Sequence, residues 1–273
     1  MYRPVGLCLL CQLALVAPAA AAAEEEGFDC VIEPAVMVRV GGQVSGLLEI
    51  VLVNRGDRVT QGQVIARLSS QVEEATVALL SEQAASTSEI EAQKARSQLA
   101  VNRAGRTRIL VERNVQSRDK LEEAVAEMEV VKRELAIAEM RLRIAALELN
   151  RARKILELKI IRSPIDGVVV ERSLFKGEFL DQDGKVATIA QLDPLHVETF
   201  LPVSYFGKVH QGMSAKVSPN EPIRGTYSGI VSVIDQVFDA ASGTFGVRVE
   251  LRNPGHQLPA GHRCRITFDG LSN

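Results

Sequence analysis

The chain has 273 residues, a formal net charge of −2, 24% charged and only 4% aromatic residues. That length suits two or three small domains, and the balanced charge lacks the dense basic surface of a nucleic-acid binder, so no nucleic-acid partner is expected. From Arg3 through the apolar VGLCLLCQLALVAP to an alanine run before EEE, residues 1–23 read as a secretory signal peptide cleaved near Ala23. A retained anchor is the alternative, and the apolar run is short for a membrane span. Loss of Cys8 and Cys11 with the signal leaves Cys30 and Cys264 as the only cysteines of a chain in an oxidising compartment. They are expected to form a disulfide, while spacing alone equally fits two buried thiols on strands.

Residues 28–69 and 161–190 say nearly the same thing twice. Gly46 and Gly167 are each followed ten positions later by a second glycine, Gly56 and Gly177, across a hydrophobic run; Gly62 and Gly184 then correspond with one inserted residue. Each copy reads as short β-branched strands joined at glycine turns. A half of that size cannot bury its own apolar face, so the two are expected to pair into one small sandwich. The phrases GDRVTQGQVIARL and SPIDGVVV resemble the turns of the biotinyl/lipoyl-carrier fold. Neither lip carries the M-K-M or D-K-A that presents a modified lysine there, so the domain is expected to be a scaffold without a cofactor.

Between the halves, residues 70–160 contain no proline after Gln71 and one glycine before Lys159, Gly105, which predicts a long helical insertion. Its second part carries a heptad seam: Leu121, Met128, Leu135, Leu142, Leu149 and Leu156 fall seven apart, with Ala124, Val131, Ala138, Ala145 and Ala152 three residues after the first five. The first part is assigned a weaker register of Ala78, Ala85, Ala92 and Leu99 with Ser81, Ser88, Ala95 and Asn102. The pattern breaks at VERNVQSRDK, where Asn114 suits a left-handed turn and Ser117 an N-cap. An antiparallel coiled-coil hairpin follows, with arms of about forty residues, roughly 60 Å each, and a tip near 106–118.

Residues 191–273 change to alternating patterns, LHVETFLP, MSAKVSP, YSGIVSVI, FGVRVELRN and CRITF, separated by turn residues. They predict a small antiparallel β-barrel. His196, His210, His256 and His262 have no ligand spacing, and no carboxylate constellation accompanies a nucleophile. No metal site and no catalytic site are expected, and the chain is not read as an enzyme.

The order of parts makes an α+β multidomain chain: a split lipoyl/biotinyl-like β-sandwich, a long antiparallel α-helical hairpin and a small β-barrel. It resembles the periplasmic adaptor subunits, the membrane fusion proteins of the HlyD family, through GDRVTQGQVIARL, IRSPIDGVVV, GTYSGIVSVI and LRNPGHQLPAGHRCRITF. His262 stands where that family often has methionine. At the hairpin tip RTRILVERNVQS is similar to the R-x-x-x-L-x-x-x-x-x-x-S of adaptors that meet a TolC-like outer-membrane channel, which implies channel docking by Arg106, Leu110 and Ser117. The resemblance further implies a periplasmic location, peripheral to the inner membrane, and self-association. It also implies an inner-membrane transporter of the resistance-nodulation-division (RND) class and export of small molecules. An adaptor of an ABC or type I secretion system is the near alternative, and a lipoyl or biotinyl carrier the distant one. Many members continue after the barrel into a membrane-proximal domain made from both chain ends; the phrases that carry the resemblance here extend as far as the barrel, so the transporter contact is the part the resemblance reaches least.

Overall fold

The computed structural model describes residues 1–2 and 27–271; apart from its first two residues, the segment read as a signal peptide, with Cys8 and Cys11, lies outside the described residues. In chain order the elements begin with β1 (Phe28–Val40), β2 (Gly46–Val51), β3 (Arg58–Val59), β4 (Val64–Leu68), α1 (Gln71–Ala85), α2 (Ser88–Glu112) and α3 (Arg118–Glu157). They continue with β5 (Ile160–Arg162), β6 (Gly167–Arg172), β7 (Phe179–Leu180) and β8 (Ala187–Pro202). The last are β9 (Ser214–Pro219), β10 (Tyr227–Ile234), β11 (Thr244–Leu251) and β12 (His262–Phe268). Two compact units result: Glu33–His196 with Leu251–Gly261, and Met1–Ile32 with Val197–Glu250 and His262–Asn273.

The first unit contains the sandwich, whose two halves exchange strands crosswise. β2 of the first half pairs with the short β7 of the second, Gly46 opposite Leu180, while β6 pairs with the short β3, Val168 opposite Arg58. The two repeated glycines make this possible. Gly56 and Gly177 sit at φ +93° and +88°, a region that side chains disfavour. From there the Gly56 N–H donates to the Val169 carbonyl and the Gly177 N–H to the Leu48 carbonyl, both at 2.8 Å. Each half thus completes the other, and Leu48, Ile65 and Leu68 pack in one core with Val169, Leu180 and Ile189. The Gly62–Gly184 equivalence is looser than the sequence repeat suggests. Gly62 is left-handed at φ +82°. Gly184 has no positive φ; a Cβ there would crowd the Leu180 side chain at 2.8 Å and the Asp181 backbone at 3.1 Å.

The helical insertion leaves from β4 and returns through β5. α3 is unbroken over 40 residues, about 60 Å of helix. Its seam turns toward the first arm: Ala124, Val131, Ala138, Leu149 and Ala152 are buried, while Leu121, Met128, Leu135, Leu142 and Leu156 are half-buried along its margins. Alanine beneath flanking leucines lets two backbones approach closely.

The first arm departs from the expected single helix and from the expected register. It breaks at Ser86–Thr87, with Ser86 extended. Ser86, Thr87 and Ser88 are three successive hydroxyl residues of modest helix propensity, and the Thr87 hydroxyl bonds the Glu91 carboxylate instead. α1 has no fully buried residue to hold the break closed. In α2 the inward columns are Ile90, Ser97, Ala104 and Val111 with Gln93, Ala100 and Thr107, whereas Leu99 is 64% exposed and Ala92 and Ala95 are exposed. Polar residues in that seam hide its period from a hydrophobicity count, and the Gln93 side-chain oxygen is buried without a protein partner.

In the second unit β1, β12, β9, β10, β11 and β8 follow one another by hydrogen bonding, and β1 pairs again with β8, closing a six-strand barrel. Alternate residues point inward, among them Val217, Val231, Val247, Val249 and Ile266. Cys30 lies opposite Cys264 in the β1–β12 ladder with Cα atoms 4.9 Å apart, and their sulfurs are bonded. Residues 251–261, expected as part of the barrel, group with the sandwich unit instead. The cause is Asn253: its buried amide donates to the carbonyls of Leu192 and Leu258, and its backbone N–H donates to the Asp193 carboxylate, all at 2.9 Å. Among the described residues no three His, Cys, Asp or Glu side chains gather as a metal set.

Candidate docking site at the hairpin tip

The tip is built by a Schellman closure of α2. Arg113 caps the helix and Asn114 takes the left-handed conformation at φ +57°. The Asn114 N–H then donates to the Val111 carbonyl at 2.9 Å and the Val115 N–H to the Leu110 carbonyl at 2.8 Å. This is the pattern that satisfies the last orphan carbonyls of a helix and draws the flanking apolar residues together. Ser117 follows as the N-cap of α3 in an extended conformation, yet its hydroxyl makes no capping bond. It stays free to bond a partner.

Arg106 and Leu110 stand one helical turn apart near the end of α2 and are exposed, as is Ser117. Two further apolar residues join them that the sequence pattern had not singled out: Ile109, and Val115, which is 67% exposed. Their only sequence signal is that they flank the break in a polar stretch. The charge is one-sided. From Arg103 to Lys120 the cations are Arg103, Arg106, Arg108, Arg113, Arg118 and Lys120, against Glu112 and Asp119. Lys120 pairs with Glu123 at 2.7 Å and holds that carboxyl below its ordinary pKa, first by a side-chain hydrogen bond. Arg106, Arg108, Arg113 and Arg118 enter no ion pair among the described residues. Such an end offers apolar knobs amid unpaired guanidinium groups, which suits a helical surface with exposed carbonyls or carboxylates.

A second face of the hairpin is also unpartnered. Val130, Ile137 and Ile144 fall seven apart on α3, with Met140 and Leu147 three residues after the last two, and all five are exposed on the side away from the buried seam. This is a heptad stripe in its own right.

The family model for the CzcB-like barrel-sandwich hybrid domain matches residues 36–191, more than half of the chain. The chain belongs to that family. It is a membrane fusion protein of the periplasmic adaptor kind. The adaptor is 28% identical over 232 residues to the macrolide export protein MacA of Yersinia pestis, covering 81% of this chain and 61% of that protein. It therefore spans about three-fifths of the length of that curated relative. Its fold is similar to the crystal structure of MacA from Actinobacillus actinomycetemcomitans, with a TM-score of 0.74 at 22% identity over 89% of this chain and 77% of that one. It is also similar to the membrane fusion protein Spr0693 from Streptococcus pneumoniae R6, with a TM-score of 0.63 at 14% identity over 89% of this chain and 98% of that one. The expected fold class, sandwich, helical hairpin and barrel, is borne out. Among the described residues of the adaptor no helix is long and apolar enough to cross a membrane.

Proposed function

We propose that this adaptor works in the periplasm, bridging an inner-membrane exporter and a TolC-like outer-membrane channel for the export of small molecules. The observation that supports the reading is the tip, where Arg106, Leu110 and the uncapped Ser117 are each exposed beside a closed helical turn. Delivery rests on the signal segment 1–23, and a peripheral place at the inner membrane follows from binding the exporter. The exporter is of the RND class in the first reading, with an ABC or type I secretion partner second. The likeness to a macrolide export protein makes macrolides the first cargo to test. A lipoyl or biotinyl carrier is disfavoured, because α1 to α3 occupy the place between the halves where a carrier presents its lysine. Self-association is part of the proposal, and the exposed stripe from Val130 to Leu147 on α3 is the surface that supports it.

The test is export by tip variants. Arg106→Asp and Ser117→Arg are expected to abolish macrolide resistance and cross-linking to the channel, while leaving secretion, helix content and self-association unchanged. Full resistance with both substitutions would reduce the tip to an ordinary helical turn. Mass spectrometry of cross-links from the barrel identifies the exporter class.

A further inference from the structure

At the foot of α3 lies a cavity of about 510 Å³, formed by the loop after β1, the last two turns of α3 and β5, all within one unit. That volume is within the ordinary range of small-molecule sites. We infer that it binds an anionic amphiphile, a carboxylate or phosphate head on an apolar body. This goes beyond the bridging function, since it concerns neither tip nor channel.

Three cations line the cavity, and their existing partners differ. Arg162 donates to the Gly62 carbonyl at 2.9 Å, and Lys154 pairs with Glu157 at 2.8 Å, a carboxylate that also lines the space. Lys154 holds the Glu157 carboxyl below its ordinary pKa, so that charge is present and already offset. Arg151 enters no hydrogen bond or ion pair among the described residues. Its fork of donors suits a carboxylate or phosphate oxygen pair. The amides of Gly42 and Gln43, in the loop that also lines the cavity, donate to no protein acceptor among the described residues. Glycine is needed in this loop, because a Cβ at Gly42 would lie 2.8 Å from the Leu180 side chain, and one at Gly41 would collide with the Gly184 carbonyl. The loop is therefore packed in place at the cavity wall. Ile155, exposed beside Arg151, and the half-buried Leu158 and Ile160 supply the apolar wall. Cation, free amides and apolar wall in one cavity match a ligand that has both a head and a tail.

Binding of anilinonaphthalene sulfonate to the purified protein, followed by fluorescence, tests the site. Decanoate and decyl phosphate, below their micellar concentrations, compete as the two candidate heads, and decyltrimethylammonium serves as the cationic control. Arg151→Glu is expected to weaken probe binding roughly tenfold, and Arg151→Gln by less. Arg153→Glu, an equal charge change on an exposed position outside the cavity, should leave binding unchanged, and circular dichroism checks that all three variants keep their helix. The better competitor of decanoate and decyl phosphate identifies the head. Equal losses at 151 and 153, or displacement by decyltrimethylammonium as effective as by decanoate, would overturn the assignment. Export assays on tip variants are a separate readout, so failure here leaves the bridging function standing.

Discussion

The barrel unites strands from the two ends of the chain, with β1 beside β12 and a disulfide between residues separated by 234 positions, whereas the hairpin joins helices that are neighbours in sequence and buries little beyond an alanine-lined seam. The barrel's cohesion is long-range and closed on itself. The hairpin's is local, periodic and one layer thick. Damage to the two should therefore differ in kind: loss of one tie in the barrel releases chain ends, while a change in the hairpin acts only through the face that it occupies.

The largest expected effect is in the barrel. Cys264→Ser with Cys30→Ser reopens a loop of more than two hundred residues, and the chain-entropy model assigns such a closure about 5.5 kcal/mol, less any strain. Urea unfolding of the oxidised protein against the double variant measures it, and thiol titration of the denatured, unreduced mature protein should find no free cysteine. Two free thiols would show that barrel closure alone holds β1 to β12. Melting of the hairpin, monitored by helix content, should move much less than that of the barrel.

Two adjacent residues test the single-layer hairpin. Ala138 is 3% exposed at the seam and Ile137 is 44% exposed on the outer stripe. Ala138→Asp forces a charge and extra volume between two close backbones, and about 3 kcal/mol of stability should be lost. Ile137→Asp should change the monomer's stability by less than about 0.5 kcal/mol, the usual range for an exposed site. Its effect should appear in sedimentation velocity, as loss of self-association. If Ile137→Asp destabilises the monomer as much as Ala138→Asp, the stripe is packed within the chain; if it leaves association intact, another surface joins the copies.

What the sequence disclosed follows the same division. The α3 seam is legible because large apolar residues, leucine but for Met128, and small ones, alanine but for Val131, keep one heptad spacing, and the turn is legible because Asn114 interrupts a helix with a residue suited to positive φ. The sandwich is legible as a repeat, since Gly56 and Gly177 are spent on equivalent turns. The first arm is not, because its buried columns hold Gln93, Ser97 and Thr107 while Leu99 faces out. The outer stripe was available as a second heptad column but lay beside a stronger one. The pairing of β1 with β12 joins residues at least 230 positions apart, and the return of residues 251–261 to the sandwich unit depends on Asn253 bonds to residues about sixty positions away, and no local pattern encodes either.

The smallest expected effect concerns where the hairpin is tied at its base. Glu73, in the first turn of α1, meets Lys159, just past the end of α3, with Oε1 2.9 Å from Nζ and both side chains partly covered. The hydrogen bond from Lys159 is the main reason that the Glu73 carboxyl sits below its ordinary value of 4.5; its own backbone assists and burial opposes. A carboxyl whose pKa is lowered by folding stabilises the native state wherever it is ionised in both states. The contribution is therefore present above about pH 4.5 and is lost as pH falls through the lower folded value. Partly exposed pairs of this kind contribute less than about 1 kcal/mol. A double-mutant cycle with Glu73→Gln and Lys159→Met, measured by urea unfolding, should show a small coupling at pH 7 that is lost as the pH is lowered below the ordinary carboxyl value and Glu73 protonates. Salt should reduce it at neutral pH. The barrel's disulfide has no such proton linkage, so the Cys30–Cys264 contribution should persist across the same range. A Glu73–Lys159 coupling that stays constant throughout the acid titration would mean that the two side chains support each other by packing rather than by charge.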